Sequence, residues 1–116
     1  AMVVVALRHG RTEQASGLSL SGNTSLNPVS NKLMFDIWLR GVEEAEVLGV
    51  VLRFPHEDGG WQVADLVMRA GQVSARRAVS MTSRHREALD AGEMHLLVLT
   101  RAHPKGAIEV HLDPSR

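Results

Sequence analysis

The sequence lacks cysteine, long apolar runs and net charge, and each absence excludes a class of site or partner. Without cysteine there is no disulfide, no zinc–thiolate centre and no cysteine nucleophile. Thirteen basic residues balance thirteen acidic ones, so overall charge does not favour nucleic acid or an anionic membrane. The longest apolar stretches, MVVVAL and VLGVVL, are far shorter than the roughly 20 residues of a membrane-spanning helix. We therefore expect no nucleic-acid partner and no membrane insertion.

The composition that is present is typical of one folded domain. Hydrophobic residues make up 44% of the chain and charged residues 22%, as in an ordinary globular protein. A length of 116 residues is enough for one core and too short to divide into two. We expect a single domain spanning residues 1–116, in which the leading Ala1-Met2 resembles a cloning remnant.

Period-two alternation is the dominant pattern and predicts strands. In KLMFDIWLR the apolar residues at 33, 35, 37 and 39 fall on one face, and Met34 and Trp38 share the other face with charged residues. Seven further segments have the length and composition of strands: 2–9, 16–22, 46–54, 61–69, 73–81, 94–100 and 107–112. Eight short strands at this spacing predict an antiparallel β-sandwich or barrel.

The connections fit an all-β fold with one short helical turn. The segments GNTSLNPVSN, PHEDGG and HPKG are rich in turn residues. SRHREALDAGE predicts a helical turn near residues 84–90, with Ser83 as its N-cap and Gly92 as its stop. The segment 41–54 also fits a helical stripe, but its β-branched second half and Pro55 favour a strand.

The triplet Arg8-His9-Gly10 follows the first strand and resembles the opening motif of the histidine phosphatases, whose histidine accepts a phosphoryl group. That family requires an α/β fold and a second His-Gly pair downstream. Here the following segment, 11–31, has no helical stripe, and no other His-Gly pair occurs. The phosphatase is therefore the less favoured interpretation, and we expect no enzymatic activity.

The segment LDAGEMHLLVLTRAHPKGAIEVHL, residues 89–112, resembles the end of the CHRD domain, the repeat named from chordin and also found in bacterial surface proteins. The positions that carry the resemblance are Leu89, Gly92, the strand ending at Thr100, the turn 103–106 and the strand that follows. Earlier strands fall in the same order. The resemblance implies an Ig-like β-sandwich of about seven to eight strands, used outside the cell as a non-catalytic interaction or spacer module within a longer protein. In chordin-like proteins the surrounding assembly captures growth factors of the bone morphogenetic (BMP) class.

The chain departs from the CHRD pattern where many members of the family carry three histidines. The corresponding positions here are Val50, Leu52 and Leu99, which can fill a core but cannot ligate a metal. We therefore expect no metal and no cofactor there. The alternative, a metal-binding β-sandwich, stays open through His95 and His111, which become cross-strand neighbours if the last two strands pair.

Six residues are candidates for binding a protein partner. Met34 and Trp38 lie on the polar face of the most regular strand, where an exposed apolar pair can anchor a partner. Arginines at 76, 77, 84 and 86 form a basic run that can bind an acidic surface. Asn23, in the sequon Asn-Thr-Ser, is a candidate glycosylation site in a predicted turn.

Overall fold

A computed structural model gives the structure of residues 1–10 and 17–114. Eight strands, one α-helix and one 3₁₀ turn (Glu44–Glu46) make up its secondary structure. The helix α1 is Ser83–Asp90. The strands are β1 (Val3–His9), β2 (Ser19–Asn27), β3 (Lys32–Arg40), β4 (Val47–Pro55), β5 (Trp61–Met68), β6 (Ser74–Ser80), β7 (His95–Thr100) and β8 (Ile108–Pro114). The all-β prediction, with one short helix, is confirmed. In this part of the chain no helix is both long enough and apolar enough to cross a membrane.

All eight strands belong to one antiparallel sheet, in the order β5-β4-β7-β8-β1-β2-β3-β6. A two-sheet immunoglobulin sandwich would break this hydrogen bonding into two sets, whereas here it continues from β5 to β6. If the sheet were flat, its two end strands would lie about 33 Å apart. Yet the guanidinium of Arg77 on β6 meets the carboxylate of Asp65 on β5 at 2.6 Å. The sheet therefore curls on itself into a barrel-like sandwich.

The inner face of the curled sheet holds one hydrophobic core. On β3 the predicted inward set is confirmed: Leu33, Phe35, Ile37 and Leu39 are all buried. Each of the eight strands contributes at least one residue to this core, and α1 contributes Leu89, which is fully buried. The segment 41–54, which also fitted a helix, forms the short 3₁₀ turn and then β4.

Two local predictions are corrected by the structure. The turn expected at 22–31 is mostly strand, because β2 continues to Asn27 and pairs with β3 along its whole length. Gly22 breaks the apolar pattern there: a Cβ at this position would collide with the backbone of Asp36 and Ile37. The N-cap of α1 is Thr82 rather than Ser83, since the Thr82 hydroxyl accepts a hydrogen bond from the His85 backbone.

Candidate functional site

The end strands β5 and β6 face each other across a gap that we call the seam. They are consecutive in the chain and joined by the short loop 69–73, a connection that normally produces a hydrogen-bonded hairpin. In the part of the chain that the structure describes, however, β5 pairs with β4 and β6 pairs with β3. The seam is therefore bordered by two strand edges that share no backbone ladder with each other.

The loop itself explains why the two strands stay apart. The Gly71 amide donates to the Val47 carbonyl at 3.0 Å, which holds the loop to the start of β4. The Leu39 amide donates to the Val73 carbonyl at 2.7 Å, which holds the other end of the loop to β3. The two ends of the loop are thus tied to β4 and to β3, the same strands with which β5 and β6 pair.

A side-chain bridge replaces the missing backbone ladder. Arg77 donates to Asp65 through Nε at 2.6 Å and through Nη2 at 2.8 Å, in the two-point geometry that guanidinium and carboxylate favour. The hydrogen bond to Asp65, together with its negative charge, raises the pKa of Arg77. Asp65 is mostly buried, whereas Arg77 is about half exposed, with 45% of its side chain accessible. The bridge thus covers the core at the point where the sheet is open.

A groove of about 370 Å³ lies along the seam and carries positive charge. Its walls include Arg69, Arg76 and Arg77 against one carboxylate, Asp65. Leu66 of β5 also lines it and is 43% exposed. A second hollow of about 490 Å³ adjoins this groove, because Arg76 and Arg77 line both.

The structure brings three of the six predicted partner-binding residues to one outer face. Met34, Trp38 and Arg76 lie on the outward sides of β3 and β6, and Met34 lines the second hollow. Met34 is exposed and Trp38 is partly buried. Arg76 is highly exposed and reaches Asp36 on the neighbouring strand at 3.5 Å. This face is continuous with the seam through Arg76.

The predicted basic run is divided by the fold rather than gathered into one patch. Arg76 and Arg77 are neighbours on a strand, so their side chains leave on opposite faces. Arg84 on α1 contacts Glu57 at 3.2 Å and stacks over Phe54. Arg86, also on α1, pairs with Asp90 at 3.2 Å. Of the four arginines in this run, only Arg76 and Arg77 line the seam.

Sequence reasoning missed three exposed apolar residues on β5. Trp61, Val63 and Leu66 are 49%, 59% and 43% exposed. They pair with Pro55, Arg53 and Val51 of β4, and a register shift between the second and third keeps Leu66 accessible. The strand itself was predicted, but its place at the end of the sheet, which leaves these residues uncovered, follows only from the topology.

The burial of His95 on the outer face, against Trp61 and Arg53, was also not predicted from the sequence. His95 on β7 is fully buried, with the Trp61 ring 4.5 Å away and the His111 ring 5.7 Å away. Arg53 Nε donates to His95 Nε2 at 3.0 Å, so a neutral His95 carries its proton on Nδ1, which has no hydrogen-bond partner. Burial, and next the charge of Arg53, lower the pKa of His95 to about 4. The imidazole is therefore neutral at pH 7.

The predicted approach of His95 and His111 is confirmed, since the two residues are direct partners in the β7–β8 register. Glu109 lies 3.7 Å from His111 and 3.6 Å from Arg53. Within residues 1–10 and 17–114, no group of three or more metal-binding side chains is placed to hold an ion. Val50 and Leu52 are fully buried in the core, whereas Leu99 lies outside it.

The Arg8-His9-Gly10 triplet ends β1 and makes structural contacts. His9 Nε2 accepts a hydrogen bond from the Leu20 amide at 3.1 Å. Arg8 pairs with Asp113 at 2.6 Å, and the Gly10 amide donates to the Glu109 carbonyl. The antiparallel sheet around them lacks the alternating α/β order that a histidine phosphatase requires.

Asn23 is exposed, but it lies in the middle of β2, where it pairs in register with Asp36, and not in a turn as predicted. It also borders the second hollow. A glycan at Asn23 would therefore stand beside the face that carries Met34.

Comparison of the chain with known protein families, with curated proteins and with solved structures finds no match in any of the three.

Proposed function

We propose that this domain is a non-catalytic protein-interaction module of the CHRD type, carried by a secreted or cell-surface protein. The sequence resemblance over residues 89–112 supports the family, and the all-β composition of the fold is compatible with it, although the strands form one continuous sheet and not the two sheets of an Ig-like sandwich. The module acts as one segment of a longer chain, beside neighbouring domains, and needs no cofactor. Its partner is a protein ligand, and a growth factor of the BMP class is the first to test.

The observation that carries this proposal is the exposed surface on both sides of the seam. Leu66 on one side and Met34 on the other are accessible apolar side chains, and arginines lie between them. Protein interfaces combine this kind of apolar anchor with arginine, which is enriched among residues that dominate binding energy. A module that only spaces other domains has no need of such a surface.

Binding measurements on the immobilised domain test the proposal. We expect purified BMP-class growth factors, applied as a panel, to include at least one that binds, and Leu66→Ser to weaken that binding by about tenfold, as an interface anchor does. Val4→Ser is the matched control, because Val4 is an exposed apolar residue on β1, away from the seam. Its affinity should stay within about twofold, the range of a surface substitution outside an interface.

Two results would overturn the proposal. If no member of the panel binds, a growth-factor-binding role is wrong and a spacer role replaces it. If Leu66→Ser and Val4→Ser weaken binding equally, the contact surface is not the one beside the seam.

A further inference from the structure

The edges of β5 and β6 are open to pairing with another strand. In an antiparallel pair, every second residue of a strand directs its N–H and C=O away from its partner. The outward groups of β5 and of β6 point into the seam, and no described strand occupies it. Exposed edges of this kind are the template on which extended peptides add as a further strand.

The charge of the seam selects among such peptides. Three guanidinium groups line the groove against one carboxylate, and that carboxylate is already bound to Arg77. Among the residues that the structure describes, no carboxylate lies within ion-pair distance of Arg69. Arg76 is 86% exposed, and its contact with Asp36 is a long one. The groove is therefore complementary to a segment that brings its own carboxylates.

The Asp65–Arg77 bridge crosses the path of an added strand but does not exclude it. Arg77 belongs to β6, and a carboxylate on the incoming segment can take the place of Asp65 as its partner. This exchange keeps the Arg77 charge paired but releases Asp65, which is mostly buried, so the bridge by itself does not distinguish acidic from neutral segments. The selection for acidic segments therefore rests on Arg69 and Arg76.

From this geometry we propose that the seam binds an extended acidic peptide segment of the partner protein, which adds as a strand along β6 with its carboxylates on Arg69, Arg76 and Arg77. This inference rests on the proposed function, since it names the part of the partner that a protein-interaction module would hold. The other possible occupants, a second copy of this chain and a free anion, are separated from it by the experiment.

The probe is a capped peptide of about seven residues, the length of β6, with two adjacent glutamates between valines, because adjacent residues of a strand direct their side chains to opposite faces, as Arg76 and Arg77 do. Its affinity is measured by fluorescence anisotropy, and its position by amide shifts in NMR spectra of the labelled domain. Two matched peptides serve as controls: one has lysine in place of glutamate, and the other carries N-methyl groups along one edge of its backbone. We expect the glutamate peptide to shift amides of β5 and β6, and both control peptides to bind at least about tenfold more weakly.

Matched variants of the domain locate the charges. Arg76→Glu and, separately, Arg69→Glu should each weaken the glutamate peptide by about tenfold. Arg8→Glu is the control, because Arg8 is also an exposed strand arginine paired with an aspartate on the neighbouring strand, but it lies on β1. Its affinity should stay within about twofold. Arg69 lies in the exposed loop, so its variant remains informative if Arg76→Glu fails to fold.

Several outcomes would overturn the inference. Equal binding of the N-methylated peptide excludes strand addition, and equal binding of the lysine peptide excludes charge selection. Complete competition by inorganic phosphate assigns the site to a free anion, and a dimer in sedimentation of the protein alone assigns the edges to a second copy. Absence of peptide binding at millimolar concentration also contradicts it. If a growth factor still binds Arg76→Glu and Arg69→Glu unchanged, the proposed function stands and only this inference fails.

Discussion

Strands β7 and β5 have similarly apolar sequences, yet β7 is almost wholly buried and β5 is mostly exposed. On β7 five of the six residues are buried, on both faces of the sheet, and the remaining one, Leu99, is half-buried. On β5 only the last two of eight residues are buried. The difference follows from position: β7 lies between β4 and β8, whereas β5 is the end strand and has a neighbour on one side.

This comparison shows that burial depends on the order of strands as much as on their composition. The outer face of β7 is covered because Trp61 and Gly106 lie over His95 and Leu97. The outer face of β5 has no such cover, although Trp61 itself belongs to it. Trp61 of β5 therefore helps to bury His95 of β7, while the rest of the outer face of β5 stays uncovered. The following predictions test this contrast.

The largest loss of stability is expected when a core side chain of β7 is shortened. Leu96→Ala should lower the free energy of unfolding by about 3 kcal/mol, because Leu96 is fully buried and the change leaves a cavity. Val63→Ala on β5 should cost less than about 0.5 kcal/mol, since Val63 is mostly exposed. Urea unfolding of both variants measures the difference, and similar losses would mean that β5 is covered in solution.

Acidification should destabilise the domain through His95. Because the folded pKa is about 4 and the ordinary pKa is about 6.5, the unfolded chain takes up the proton first as the pH falls. Stability due to the neutral imidazole is complete above about pH 6.5, and its loss reaches at most about 3 kcal/mol below pH 4.

The His95 contribution is isolated by comparing unfolding at pH 7 and pH 4.5 in two variants. His95→Gln should flatten the pH dependence between these values, even if it lowers stability at pH 7. His56→Gln is the control for the general effect of replacing a histidine, because His56 lies in the β4–β5 turn, outside the cluster. A His95→Gln variant with the parent's slope would disprove the role of His95.

Removing the Trp61 ring should bring the pKa of His95 back toward its ordinary value. Trp61→Ala opens one side of His95 to water, so the pKa of His95 should rise from about 4 toward 6.5 in an NMR titration. A shift of one unit corresponds to about 1.4 kcal/mol. Val63→Ala on the same strand should leave the titration unchanged. If the pKa stays low without the indole, Arg53 rather than burial is its main cause.

The smallest effect is expected at the seam. Asp65→Asn and Arg77→Gln, singly and together, should give a coupling energy of at most about 1 kcal/mol, because the pair is partly exposed to solvent. The double-mutant cycle is measured by urea unfolding in low and in high salt. A coupling well above this value would show that the bridge, and not the β3 and β4 ladders, holds the two end strands in place.

The strand positions could be predicted from sequence because their apolar alternation is strong, as on β3. On β2 it failed, since Gly22 and Thr24 occupy inward positions where the pattern needs apolar residues. The pairing of His95 with His111 was predictable because β7 and β8 are joined by one turn. The cluster with Arg53 and Trp61 was not, because these residues come from strands that only the register brings together. The seam contradicts a local rule, since two strands with so short a loop normally pair.

Residues 69–72 of the loop 69–73 are exposed, so a protease could reach the chain there. A cleavage there would separate β1–β5 from β6–β8, but the two fragments alternate in the sheet: β5-β4 from the first, β7-β8 from the second, β1-β2-β3 from the first and β6 from the second. Three of the seven strand-to-strand interfaces would join one fragment to the other. Proteolysis at this loop would thus leave a nicked complex of two interleaved pieces, in which the strands of each fragment occupy two separate parts of the sheet.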